Sequence, residues 1–311
     1  PGDYYLSDSI LVRDGCSIEG SGPQTVLHWT GSPSKSYTYS LIRILLNTTT
    51  ATPDRIAIKN LCIRGINESA VATNIDLTST TEPDINKGIY VQLIDVGQGT
   101  LVLDHPVIIE GVIFENLSQG FSDYLYEGSE NNSYISGEKE QISDRLVIRN
   151  CTFRNCYYGY YDNTSTSASG GGVKIDNCLF NRTRRAIYVK HTGYDITNCS
   201  FYHSYYRTIE TSSGWTYEPD NVPIRIMGCK FFMPADVDVA HIYAAFEGSS
   251  DVLLTVSDSF FIFGYLTSQY VRHIYSNMRI IMDGCRFMMR AEGSVLDNRL
   301  IFSFTIDSKY M

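Results

Sequence analysis

Apolar residues recur at every second position in short runs that end on Asn, Gly or Asp, and the runs themselves recur along the chain. The pattern is clearest in Leu146-Val-Ile148-Arg-Asn150-Cys151-Thr-Phe153 and in Val173-Lys-Ile175-Asp-Asn177-Cys178-Leu-Phe180. Residues 194–201 and 224–231 repeat it, and looser copies at 56–63, 107–114, 254–261 and 280–287 bring the number to eight. A period of two predicts strands with one buried face. The fifth position is Asn60, Gly111, Asn150, Asn177, Asn198, Gly228, Asp258 or Gly284. These residue types tolerate a left-handed backbone, so a bend is predicted in every copy.

Two further columns describe the interior. The eighth position is Phe in all copies but one, where it is Ile63, which predicts a buried aromatic stack. The sixth holds Cys151, Cys178, Cys199, Cys229 and Cys285, exchanging with Leu61, Val112 and Ser259. A cysteine column that alternates with Leu and Val is packing rather than metal chemistry. Strand, bend and strand at this interval form one coil of a solenoid, and segments at 89–91, 125–126, 187–189, 242–244 and 274–275 supply a third strand. The predicted fold is all-β, a single-stranded right-handed parallel β-helix of about ten coils, its hand taken from the crossover rule. Residues 1–50 form an N-terminal cap and first coils, and 51–311 one continuous domain. The polar segments 67–88, 121–143 and 164–172 are expected to project from the rod. No capping segment follows the last strand, around 300–306, so a continuing chain or another subunit is expected over that edge.

Composition narrows the partners. Net charge is −9, from 34 acidic and 25 basic residues, which argues against nucleic acid. The densest basic spot, Arg182, Arg184 and Arg185, reads as a solvated turn. No apolar run reaches the ~18–20 residues of a membrane span.

The opening Pro1-Gly2-Asp3-Tyr4-Tyr5-Leu6, followed by Ile18-Glu-Gly20-Ser-Gly22-Pro-Gln-Thr-Val26, resembles the N-terminal coil of pectate-lyase-like β-helix proteins. That superfamily includes pectate lyases, polygalacturonases, pectin methylesterases and viral tailspikes, and the resemblance in fold extends over essentially the whole chain. It implies a tailspike or polysaccharide-processing type, with possible trimeric association. The enzymes' catalytic strings do not carry over: Asn-Thr-Asp, Asp-Asp, Gly-His-Gly and Arg-Ile-Lys are all missing. Phe260-Phe261-Ile262-Phe263-Gly264 approaches the methylesterase string but has Phe where the nucleophilic Asp belongs. No column gathers the carboxylates that a calcium site needs, so neither metal nor cofactor is expected.

Candidate chemistry lies on the outer face of the third strand. If Ile187 and Val189 point inward, Tyr188 and Lys190 point out. The same phase places Tyr90, Tyr126, Tyr161, Tyr188, Glu210, Tyr243, Tyr275 and Phe302 in one exposed column. Sugar rings can lie on aromatic faces while phenolic hydroxyls bond sugar hydroxyls, and Trp215 adds to this set. Tyrosines packed under a loop or against a second subunit would read the same way. Glu210 interrupts the ladder, with Lys190, His191, Asp162 and Glu247 on neighbouring coils. Two carboxylates one coil apart would lie within ~10 Å at Cα, from strand spacing and rise, a separation that suits a glycosidase pair.

Three functions follow as expectations. The first is an extracellular, cell-surface or virion-surface β-helix that binds a polysaccharide, a cell-surface glycan or another partner. The second is a polysaccharide depolymerase, hydrolase or lyase, working near Glu210. The third is a structural subunit with the tyrosines as its interface. Among eight Asn-X-Ser/Thr sequons, Asn67 and Asn131 lie in polar loops and are the candidate glycosylation sites. Cys16 and Cys62 are a candidate disulfide.

Overall fold

The computed structural model of the chain describes residues 1–13, 15–32, 34, 36, 39–47, 55–65, 75–94, 107–124, 146–162, 172–189, 193–211, 224–233, 240–244, 253–263, 272–276, 279–289 and 302–304. Among them there is no helix, and the strands form one sheet of nine and another of sixteen. The nine-stranded sheet stacks the first half of each repeat, from Ser17–Glu19 through Val173–Asp176 to Arg279–Asp283, parallel and in register. The protein is a parallel β-helix. The first strands belong to the sixteen-stranded sheet, since Gly2–Leu6 pairs with Thr25–Trp29, which pairs with Cys62–Arg64.

All eight predicted bend residues have a left-handed backbone, with φ between 48° (Asp258) and 66° (Gly228). Side chains at this bend also link successive coils. Asn177 Nδ2 donates to Asn150 Oδ1 at 2.7 Å and Asn198 Nδ2 to Asp176 Oδ1 at 3.1 Å. Where the column changes to glycine the amide below takes the space: a Cβ on Gly111 would lie 2.7 Å from Asn60 Oδ1.

The phenylalanine column is the axis of the core. Phe114, Phe153, Phe180, Phe201, Phe231, Phe261 and Phe287 stack face to face, with centroids 4.6–5.0 Å apart. That spacing is the strand spacing, so the offset stack follows directly from the register. Beside it Cys151, Cys178, Cys199 and Cys229 are buried, each thiol donating to a carbonyl of the coil before it at 3.5–3.7 Å. All eight cysteines are free, which overturns the expected disulfide: Cys16 is exposed and Cys62 buried.

In four coils the third strand continues from the second through one left-handed residue. Those residues are Asn116 (φ 56°), Asn155 (55°), Arg182 (55°) and His203 (57°). They lie inside the strands Ile113–Tyr124, Thr152–Asp162, Leu179–Val189 and Ser200–Thr211. Past this second bend an inward column of Ile42, Ile89, Phe121, Tyr160, Ile187, Ile209, Ile242 and Ile274 closes the core, each at most 1% exposed.

The segment 75–86, expected to project, lies back on the coils instead. Leu77 and Ile85 are buried, Arg184 Nη1 donates to the Leu77 and Thr78 carbonyls at 3.1 and 2.8 Å, and the Tyr157 hydroxyl donates to Ser79 O at 3.2 Å. Apolar Leu77 and Ile85 within a polar run account for the docking.

Candidate functional site

The outer face of the third strands is a grid of two columns. One is Lys87, Gln119, Tyr158, Arg185 and Arg207; the other is Tyr90, Ser122, Tyr161, Tyr188 and Glu210. The second column continues in the backbone register to Tyr243 and Tyr275. The expected ladder is thus in phase at Tyr90, Tyr161, Tyr188, Glu210, Tyr243 and Tyr275. Its place between Tyr90 and Tyr161 belongs to Ser122, because the strand runs straight on from the second bend; Tyr126 lies outside the described residues. Phe302 falls one residue out of phase: it pairs with Ile274 and Ser303 with Tyr275.

Exposure varies along the grid. Tyr90, Ser122, Lys87 and Gln119 are all buried, so the expectation that Tyr90 is exposed is corrected. Tyr158, Tyr161, Arg185, Tyr188 and Arg207 are half-buried. Tyr161 and Tyr188 stack at 5.1 Å and 13°, and Tyr158 tilts against Tyr161 at 4.5 Å. Desolvation raises the phenol pKa of both Tyr158 and Tyr161 above its ordinary value, so both stay protonated and keep an O–H donor.

Glu210 is buried between arginines. Arg185 Nε donates to its Oε2, Arg207 Nη1 donates to its Oε1, and Arg185 Nη1 donates to the Tyr158 hydroxyl at 3.0 Å. Burial opposes the charge on Arg185, but the Glu210 carboxylate outweighs it and its pKa rises above the usual arginine value. A bulge brings in a further ring, because Ser204 to Arg207 opposes the shorter Thr183 to Arg185 on the next strand. Tyr206 lies under the guanidiniums of Arg184, Arg185 and Arg207 at 4.7, 4.7 and 4.5 Å.

Of the other candidates, Asp162, the described one, does not lie beside Glu210. Asp162 points into the core at 0% exposure, accepting from the Tyr194 hydroxyl at 2.6 Å, because it falls in register with inward-facing Val189 and not with the outer columns. Lys190, His191, Trp215, Glu247, Asn67 and Asn131 lie outside the described residues. The side chains that do surround Glu210, namely Tyr158, Arg185, Tyr206 and Arg207, were not anticipated. Arg184 and Arg185 read as a solvated turn because the second bend, at Arg182, carries neither Asn nor Gly. Among the described residues no group of three or more His, Cys, Asp and Glu could hold a metal ion.

No family model and no curated protein matches the chain. Thirteen solved chains do. ORF18 of Geobacillus virus E2 is 15% identical, with a TM-score of 0.47 over 92% of this chain and 52% of its own. The catalytic unit of a thermostable GH87 α-1,3-glucanase from Streptomyces thermodiastaticus strain HF3-3 is 10% identical, with a TM-score of 0.34 over 99% of this chain and 64% of its own. The chain spans about half the length of the first. At these identities the likeness concerns the fold alone.

Proposed function

We propose that this β-helix binds glycan on the outer face of its third strands, as a pectate-lyase-like protein of a cell or virion surface. The observation that carries the reading is the half-exposed Tyr161–Tyr188 stack, set beside the Tyr158 hydroxyl and the Arg185–Glu210–Arg207 network. The solvent-facing edges of the stacked rings offer apolar surface to the C–H face of a sugar ring, and protonated phenols and guanidiniums donate to ring and hydroxyl oxygens. Binding is preferred to cleavage because both Glu210 oxygens already accept from arginines, which makes the carboxylate an anchor for them and not a proton donor to a leaving group.

Capture of the protein on a glycan array tests the reading, with Tyr188→Ala as the control. Retention by the wild type and its loss in the variant, at unchanged melting temperature, is the expected result. Equal retention by the two proteins would overturn it.

A further inference from the structure

Three guanidiniums meet at one ring beside the tyrosine ladder. The bulge in Ser200–Thr211 places Tyr206 where Arg184, Arg185 and Arg207 lie 4.7, 4.7 and 4.5 Å from its ring centre. The rings of Tyr158 and Tyr188 also lie 5.4 and 6.0 Å from the Arg185 guanidinium. This group of cations forms on a chain whose net charge is −9. The cations outnumber the carboxylates bonded to them. Glu210 accepts from Arg185 and Arg207, whereas Arg184 bonds two neutral carbonyls, Leu77 O and Thr78 O. Of the carboxylates on segment 75–86, exposed Asp76 accepts from Thr78 and Ser79, and Glu82 accepts from Gln119.

Two phenols add unspent donors to this group. The Tyr158 hydroxyl accepts from Arg185, and its own proton goes to no described residue. The Tyr206 hydroxyl bonds to no described residue and is reached by solvent. With half-buried Arg185 and Arg207 they make a surface that carries positive charge and donates hydrogen bonds. A sugar hydroxyl both donates and accepts, whereas a carboxylate or sulfate only accepts, and its bonds to guanidiniums are of the stronger, charge-assisted kind. Guanidiniums packed against rings are also less screened by water than free surface cations.

We propose that the site selects glycans bearing an acidic group, a carboxylate or a sulfate, which Tyr158, Arg185, Tyr206 and Arg207 receive beside the sugar packed against Tyr161 and Tyr188. This rests on the glycan-binding reading above and names the class of glycan. Arg184, 4% exposed, does not meet the ligand; it ties the Tyr206 ring to segment 75–86 and is a positioning residue. Glu210 keeps the two other guanidiniums in place without satisfying all three cations.

The experiment compares matched glycans. The array carries each oligosaccharide in three forms that differ at one carbon: a primary alcohol, a carboxylate or a sulfate ester. The wild type is expected to retain an acidic form at least about tenfold more tightly than the matching alcohol, the size of one charge-assisted hydrogen bond. The carboxylate and sulfate arms show which acid it takes. Equal retention of alcohol and acidic forms overturns the proposal while leaving glycan binding intact, and retention of nothing removes both. Tyr158→Phe and Tyr206→Phe keep the rings and remove the hydroxyls, and each is expected to lower the acid-to-alcohol ratio severalfold at unchanged melting temperature. A ratio unchanged in both variants puts the acidic group elsewhere on the protein and overturns the assigned site.

Discussion

Arg185 joins Glu210 to Tyr158 across three coils: its Nε donates to the carboxylate on one side and its Nη1 to the phenol, 3.0 Å away, on the other. Glu210 also accepts from Arg207, so one buried carboxylate serves two guanidiniums, and the platform's geometry depends on it.

Replacing that carboxylate leaves two half-buried cations facing each other. Glu210→Gln is expected to lower stability by about 2 kcal/mol, less than the ~3–5 kcal/mol of a fully buried pair because both arginines keep some contact with solvent. Urea denaturation measures it. The double variant Glu210→Gln with Arg207→Gln should recover part of the loss; a double variant no more stable than the single one would mean the cations do not repel.

The core stack gives a larger effect. Phe180 lies between Phe153 at 4.6 Å and Phe201 at 5.0 Å, fully buried. Phe180→Ala removes a ring from mid-column, where the neighbouring rings are fixed by strand register and cannot close the gap. A loss of about 3–5 kcal/mol is expected in chemical denaturation. A loss below about 1 kcal/mol would imply that the stack collapses freely around the hole, contrary to the behaviour of packed cores.

The second bend offers a gain. Arg182 holds φ 55°, a conformation that costs a non-glycine residue about 1–2 kcal/mol. Arg182 is exposed, so little packing is lost with its side chain. Arg182→Gly should raise the urea midpoint, the relief being partly offset by the freer unfolded chain. A lowered midpoint would show that the side chain contributes more than the strain it carries.

These two bends explain what could be read in advance. At the first, conformation and residue type agree: Asn, Gly and Asp sit in the left-handed positions, and Phe, three residues later, marks the same register each time. Periodicity and turn chemistry therefore specify the coil and its core. At the second bend His203 and Arg182 adopt the same backbone, imposed by the coils above and below, and no local signal marks them. The phase of the tyrosine ladder survived because inward Ile187 and Ile209 fix it. Its exposure did not, since burial of Tyr90 and Ser122 depends on contacts far away along the chain. Asp162 was misplaced for a related reason, for a charged residue at the end of a strand reads as solvated unless Tyr194, from the next coil, is known to meet it.

The cysteines should differ sharply in reactivity. Burial pushes the Cys156 thiol up to about 12 and, foremost among several influences, the Cys62 thiol up to about 11, while Cys16 is exposed. Alkylation needs the thiolate and access to it. Brief treatment of the native protein with iodoacetamide at mildly alkaline pH is expected to label Cys16, leaving Cys62 and Cys156 unmodified until denaturant is added. Peptide mass spectrometry reads the sites, and early labelling of Cys156 would contradict its burial.

Acid should remove one small, identifiable contribution. Glu110 accepts from Arg149 Nη2 at 3.0 Å and lies 3.2 Å from Lys59 Nζ, and the Arg149 hydrogen bond, outweighing desolvation, lowers its pKa below the usual 4.5. A depressed folded value means that the folded state binds the proton less readily than the unfolded chain. The stabilisation is therefore complete above the unfolded pKa and is lost as pH falls through the folded one. Because the carboxylate and both cations are partly open to solvent, the contribution should stay below about 1 kcal/mol. Glu110→Gln is expected to melt lower than the wild type at neutral pH, with the gap closing as the pH drops below the carboxylate range. Melting curves recorded across that range check it, and a gap that persists undiminished in acid would mean that the loss comes from packing and not from charge.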